Sequence, residues 1–308
     1  MGTFDEDRIK RIVAMAAEKQ RSARQDWTPQ AIFERLDQAI IGNKQYKQAV
    51  ALCLADFIGP NLIRNHLLVV GPSGTGKTYL LQQTLPDFGV PYHLVDASGL
   101  VPAGYKGLTL QEAFTDFFKT SAEASRRCVL VLDEFDKICE RANGGDVHKS
   151  QSLQSELLTL IQGKQEGVID TRNALWILAG AFSFADEMRQ NPPTLHKSDL
   201  LKYGFKNELI GRITKVAATE LPSIEEVVRR VAGDKVVRSF LADLQELGFQ
   251  ADFADEAFLD LAMAAQNPNF GMRVVPSAIA ELKQHIVFNC GKGPIQITRE
   301  MVRNVLKA

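Results

Sequence analysis

Short runs of consecutive apolar residues alternate along the chain with longer stretches whose apolar positions recur every three or four residues. Leu67, Leu68, Val69 and Val70 form the first run and residues 128–132 and 174–179 form two more, while residues 91–95, PYHLV, read as a further strand interrupted by His93. Runs of this length, bounded by Gly, Pro or Asp, read as strands buried on both faces, as a parallel sheet requires. Helical spacing lies between them. Leu110, Phe114, Phe117 and Phe118 mark residues 108–122, and Leu153, Leu157, Leu160 and Ile161 mark 150–162. Residues 5–25 carry Ile9, Ile12, Val13 and Ala16 on one face, as a docking helix or one packed on its own domain. Thr28-Pro29 is an N-cap and first-turn pair for a helix to about residue 36. Asn43 is expected to cap another, ending near residue 58. Residues 167–170 suit a hairpin strand. A short helix in 203–213 leads into a strand, ITKVA. At Glu220-Leu221-Pro222 the composition shifts, and the pattern becomes mainly helical over 223–248, 254–266 and 272–290, with a last strand and helix in 295–306. The expected fold is α/β: a parallel sheet flanked by helices, followed by a small helical unit. The expected divisions are 1–26, 27–219 and 220–308.

Composition narrows the class. The 308 residues are 45% hydrophobic, with a formal net charge of −1, which suits a globular protein with a sizeable core and argues against a dedicated nucleic-acid coat. Cys53, Cys128, Cys139 and Cys290 form no C-x-x-C pair, so buried thiols in a reducing compartment are expected and no zinc site is. No apolar run is long enough to span a membrane, and the expected compartment is the cytoplasm.

The first apolar run feeds a glycine-rich turn. Gly71, Gly76, Lys77 and Thr78 match G-x-x-x-x-G-K-[ST], with Pro72, Ser73, Gly74 and Thr75 between them and Tyr79 opening the helix beyond. Strand, loop and helix in that order separate a phosphate-binding loop from a chance match. Glycines let backbone N–H groups approach a phosphate, Lys77 can reach the β- and γ-phosphates, and Thr78 can offer a hydroxyl to Mg²⁺. The run CVLVL ends in Asp133 and Glu134. An acidic pair after a strand, some sixty residues beyond such a loop, supplies an Mg²⁺-shell carboxylate and a base that polarises water, and favours hydrolysis over mere binding. Tyr105 stands between Gly104 and Gly107 as an exposed loop tip, or else packs under a turn.

Taken together, the motifs resemble the AAA+ ATPases, and within them the ClpX/HslU group of protein unfoldases. The carriers are IIGNKQ, GPSGTGKT, DASGLVPAGYKG, LVLDEFDKI, LQSELLTLIQG, ILAGAF, YGFKNELIGRI and FGMRVVPSAI, spanning about residues 36–290. The resemblance implies ATP and Mg²⁺ as cofactors, a homo-oligomeric ring of six, a protein client, and a helical lid over the nucleotide. Lys77 and Thr78 are implied as phosphate and metal residues, Asp133 as the second metal residue, and Glu134 as the catalytic base. Ile40 and Ile41 are implied to face adenine, although a plain linker reads as well from the letters. Arg212 in ELIGR is similar to an arginine finger reaching a neighbour's nucleotide. Arg273 in GMR is similar to the lid arginine that reads the same subunit's. Tyr105, Lys106 and Gly107 are similar to the pore loop that grips polypeptide.

Departures qualify this. The stretch before the core carries no cysteines, unlike the zinc-binding domain of ClpX. Residues 183–202 contain no Ile-Gly-Phe-type tripeptide of the kind that docks a barrel protease, and Leu247-Gly248-Phe249 reads as the end of a helix. Lys106 replaces an apolar residue, which shifts preference toward acidic segments or only solvates the loop. The expected activity is ATP-driven remodelling of protein by threading, without the usual protease, with room for a dedicated partner and no direct nucleic-acid contact. The alternatives are an AAA+ ATPase acting on DNA or a nucleoprotein complex, and a nucleotide-gated scaffold.

Overall fold

Leu68 and Val70 face one hydrophobic cluster and their neighbours Leu67 and Val69 face another, so this four-residue strand, β1 (Leu67–Val70), is buried on both sides. The computed structural model describes residues 27–40, 42–121, 123–139, 147–190, 193–267 and 271–307. The helix expected within residues 5–25 lies outside them. Further strands follow: β2 (Tyr92–Asp96), β3 (Cys128–Asp133), a hairpin of β4 (Gln165–Glu166) and β5 (Ile169–Asp170), β6 (Ala174–Gly180) and β7 (Lys215–Ala218). Five of them form one parallel sheet in the order β2-β3-β6-β1-β7. Each fully buried Leu or Val in it stabilises the fold by about 1.5–3 kcal/mol.

Helices cover both faces. On one side lie α1 (Pro29–Ala39), α2 (Lys44–Ile58) and α3 (Lys77–Thr84). On the other lie α4 (Leu110–Thr120), α5 (Val147–Gln162) and α6 (Asn207–Arg212), around Phe114, Trp176 and Leu157. Thr28 caps α1 by accepting from the Ala31 N–H. Thr109 and Glu112 form a capping box that starts α4 two residues later than the apolar pattern predicts. Asn43 does not cap α2: its backbone is left-handed, and its side chain bonds elsewhere.

A third hydrophobic cluster lies wholly within residues 227–302. Its elements are α7 (Ile224–Gly233), α8 (Lys235–Glu246), β8 (Phe249–Phe253), α9 (Asp255–Gln266), α10 (Val274–Asn289), β9 (Gly293–Ile297) and α11 (Arg299–Lys307). The continuous helical stretch expected over 223–248 is two helices. Asp234 ends α7, and its carboxylate accepts from the Val236 N–H to start α8. Gly248, at φ +90, closes that helix and turns the chain into β8, a strand not expected from the sequence, which pairs in parallel with β9. Phe249 is buried, so Leu247-Gly248-Phe249 is no projecting tip. Among the described residues no helix is long and apolar enough to cross a membrane.

Candidate nucleotide site

Open parallel sheets place ligands outside the carboxyl ends of their strands. Here β1 and β3 lie on either side of β6, so the loop after β1 and the acids after β3 flank the same exit. Gly71 leaves β1 against Thr219. A Cβ there would stand 2.0 Å from the Thr219 Oγ1, so only glycine fits. Gly74 and Gly76 are left-handed, and Gly76 starts α3. Pro72 is half-buried, Ser73 exposed, and Thr75 buried with its hydroxyl donating to the Pro72 carbonyl at 2.9 Å.

Lys77 is 8% exposed, and its Nζ donates to the Gly71 and Pro72 carbonyls at 2.6 and 2.8 Å. Burial pulls its ammonium down to about 8, against the opposing pull of Asp133 and Asp136. The Tyr46 hydroxyl donates to the Lys77 carbonyl at 2.5 Å and fixes the start of α3 from below. The Thr78 hydroxyl donates to Asp133 Oδ2 at 2.5 Å. A hydroxyl and a carboxylate brought together after a phosphate loop are hard oxygen donors that fit Mg²⁺, an ion usually held by one or two protein ligands plus phosphate and water.

Glu134 follows with φ +51, an uncommon conformation for a non-glycine residue, its N–H donating to Asp133 Oδ1 at 2.9 Å. Partial burial, then the Asp96 charge, holds its carboxyl above the ordinary glutamate range. Asp136 is fully buried and accepts from the Ala181 N–H at 3.1 Å, where β6 ends without a polar side chain of its own.

Ile40 is buried, its methyls 3.7–3.8 Å from where a Cβ on Gly76 would stand. Ile41 lies outside the described residues. The turn carrying Arg273 touches the loop directly: a Cβ on Gly271 would lie 2.8 Å from the Gly74 Cα. Arg273 is exposed and near enough to Lys77 for its charge to oppose the lysine's. Tyr79, also exposed, carries the Arg230 guanidinium of α7 5.4 Å from its ring centre.

Two candidates lie away from this cluster. Arg212 is exposed at the end of α6, before β7 begins, whereas the phosphate loop follows the end of β1. These strands run in parallel register, Leu67 beside Lys215 and Val70 beside Ala218. About 13 Å of strand therefore separates Arg212 from its own loop. Its charge is felt instead at His66, which burial and then Arg64 hold down to about 4, and whose Nδ1 accepts from the Trp176 N–H. Tyr105 is 52% exposed, in a loop closed at its base by Val101 N–H to the Leu108 carbonyl and pinned by Ala103 N–H to Glu156. Lys106 and Gly107 beside it are exposed.

Sequence reasoning missed Asn43, Thr219, Tyr46 and Arg230 around the loop. Only Asn43 belongs to a quoted motif, IIGNKQ, and there it reads as a helix cap. Thr219 alone left a signal, as a hydroxyl just past a strand that neighbours the loop strand.

A parallel sheet with a phosphate loop and an acidic pair at the ends of two strands that flank a third defines a P-loop nucleoside triphosphatase. Residues 67–191 match the family model described as "ATPase family associated with various cellular activities (AAA)". The chain is 27% identical to the ATP-dependent Clp protease ATP-binding subunit ClpX 2 of Wolinella succinogenes, covering 84% of this chain and 77% of that protein. It is 26% identical to the ATP-dependent Clp protease ATP-binding subunit ClpX of Treponema denticola, over 90% of this chain and 81% of the relative. With the fold, the family match within residues 67–191 and the likeness to ClpX over most of the chain are consistent with a ClpX-like AAA+ ATPase.

Proposed function

We propose that the protein is a ring-forming motor, a homo-hexamer in which ATP hydrolysis at a site shared between neighbouring subunits pulls polypeptide through an axial pore. The observation that carries the reading is the distance of Arg212 from its own phosphate loop. An exposed arginine at the leading end of the sheet can meet a γ-phosphate only on another copy of the chain. In this reading residues 27–219 form the ATPase unit and residues 220–308 a lid.

Each group has a defined task. Lys77 turns from its carbonyls to the β- and γ-phosphates, and Ile40 lies beside the base. Glu134 orients a water and takes its proton. Arg273 from the lid and Arg212 from the neighbour neutralise charge developing on the transferred phosphoryl group. Thr78 and Asp133 would hold Mg²⁺, whose chemistry when bound is Lewis-acid stabilisation of phosphate charge. Tyr105, raised on a pinned loop, grips chains by steric contact and stacking with little sequence preference. Action without a barrel protease is part of this reading, because the sequence of residues 183–202 carries no Ile-Gly-Phe-type tripeptide.

Threading is tested at Tyr105. With a permanently unfolded, fluorescently labelled polypeptide, Tyr105→Ala is expected to keep basal ATPase within about twofold and to lose at least about fivefold of the polypeptide-stimulated increment. Stimulation equal to wild type would remove the pore loop from the mechanism.

The buried lysine gives a pH test. Lys77 is charged below about pH 8 and neutral above it in the absence of nucleotide. Phosphate binds the charged form, so binding above that value must take up a proton. ATP affinity is therefore expected to fall about tenfold between pH 7 and pH 9. Calorimetry in buffers of different ionisation enthalpy should show proton uptake at pH 9, absent in Lys77→Met.

A further inference from the structure

Thr219 and Glu220, where β7 gives way to the helical unit, are both held from the phosphate-loop side. Asn43 does much of the holding. Its backbone is left-handed, at φ 54 and ψ 40, and its side chain caps no helix. Instead, with the residue 7% exposed, the Nδ2 donates to the Thr75 carbonyl at 3.2 Å and the Oδ1 accepts from the Glu220 N–H at 2.8 Å. One residue earlier, the Thr219 hydroxyl meets the Thr75 hydroxyl at 2.7 Å and lies beneath Gly71. Asn43 and the linker from Glu220 to Ser223 also border a cavity of about 750 Å³, closed from the helical unit by Met263 and Gln266. Across it the Gln266 amide donates to the Pro222 carbonyl at 2.9 Å. The joint is thus tethered toward the phosphate loop and has open volume beside it.

We propose that Asn43 is a positioning residue that converts phosphate occupancy of the loop into the hinge angle of the helical unit. In a planar trans peptide the carbonyl and the N–H point in opposite directions. The peptide between Thr75 and Gly76 gives its carbonyl to Asn43, so its N–H faces away from Asn43, on the loop side. A phosphate that draws this N–H reorients the peptide and displaces the carbonyl. The buried amide must follow or leave a polar group unpaired, and its other end carries Glu220 with it. This relay rests on nucleotide binding at the loop and does not depend on threading.

Two substitutions separate the halves of the clasp. Asn43→Asp keeps an acceptor for Glu220 and tolerates the left-handed backbone, but sets a carboxylate against the Thr75 carbonyl. Asn43→Gly removes both bonds. Fluorophores at the exposed positions Lys119 on α4 and Phe288 on α10 report the distance between the two units. In wild type, a non-hydrolysable ATP analogue is expected to change the transfer efficiency. In both variants, analogue affinity should stay within about threefold while at least about two thirds of that change is lost and kcat falls about tenfold at nearly constant KM. Thermal melts without nucleotide report whether each variant is folded. Thr219→Val, which cuts only the parallel hydroxyl tie, should lose about half the change and serves if the Asn43 variants do not fold. A full wild-type change in folded Asn43→Asp, or no change in wild type, overturns the relay.

Discussion

Glu134→Gln is expected to lower ATP turnover by about 10²–10³-fold while leaving ATP affinity within about threefold. The substitution keeps the size and hydrogen-bonding reach of the side chain and removes only its basicity. The backbone there should tolerate it. The left-handed turn is held by the N–H bond to Asp133 and by the buried Phe135 that follows. The wild-type carboxyl sits above the ordinary glutamate range because of partial burial and the charge of Asp96. A base must be ionised to take a proton, so turnover should fall with decreasing pH at a higher pH than an unperturbed glutamate gives. Single-turnover hydrolysis across pH, beside equilibrium ATP binding, checks both parts. Wild-type turnover in Glu134→Gln would move the base elsewhere, with Asp96, Asp133 and Asp136 the acids whose charges Glu134 feels.

Arg212→Ala is expected to cost about 10²–10³-fold in turnover at protein concentrations where wild type is assembled. Its ATP affinity should change little, because nothing near the same chain's loop is altered. Fingers supplied by a neighbour act on the transition state, so the loss should appear in kcat rather than KM. Sedimentation must show the variant assembled, since an arginine at an interface can also hold subunits together. A variant that assembles and still hydrolyses ATP at the wild-type rate would return Arg212 to the role of a surface cation.

The sheet was legible because its three central strands are buried on both faces and read as unbroken apolar runs. The helical unit was less so. Phe249, Ala251 and Phe253 alternate with Gln250 and Asp252, a strand pattern, but the helical periods on either side obscured it. Asp234 interrupts a stretch that otherwise keeps helical spacing, and its capping bond appears only in three dimensions. In the site, Gly71, Gly76, Lys77, Thr78, Asp133 and Glu134 were readable because phosphate and metal chemistry demands those residue types at fixed spacing. Asn43 looked like an ordinary helix cap. Its amide instead joins residues 75 and 220, and no local pattern encodes a bond across 177 positions.

Mixing two inactive variants tests the shared site most directly. An Arg212→Ala subunit retains Glu134, and a Glu134→Gln subunit retains Arg212. Where the first presents its phosphate loop to the second, every wild-type group is present. In equimolar, randomly co-assembled rings about one interface in four has that arrangement, so ATPase should recover to about a quarter of the wild-type rate. A mixture no faster than the mean of the two variants measured apart, with co-assembly shown by sedimentation of differently labelled chains, would contradict the neighbour-supplied arginine.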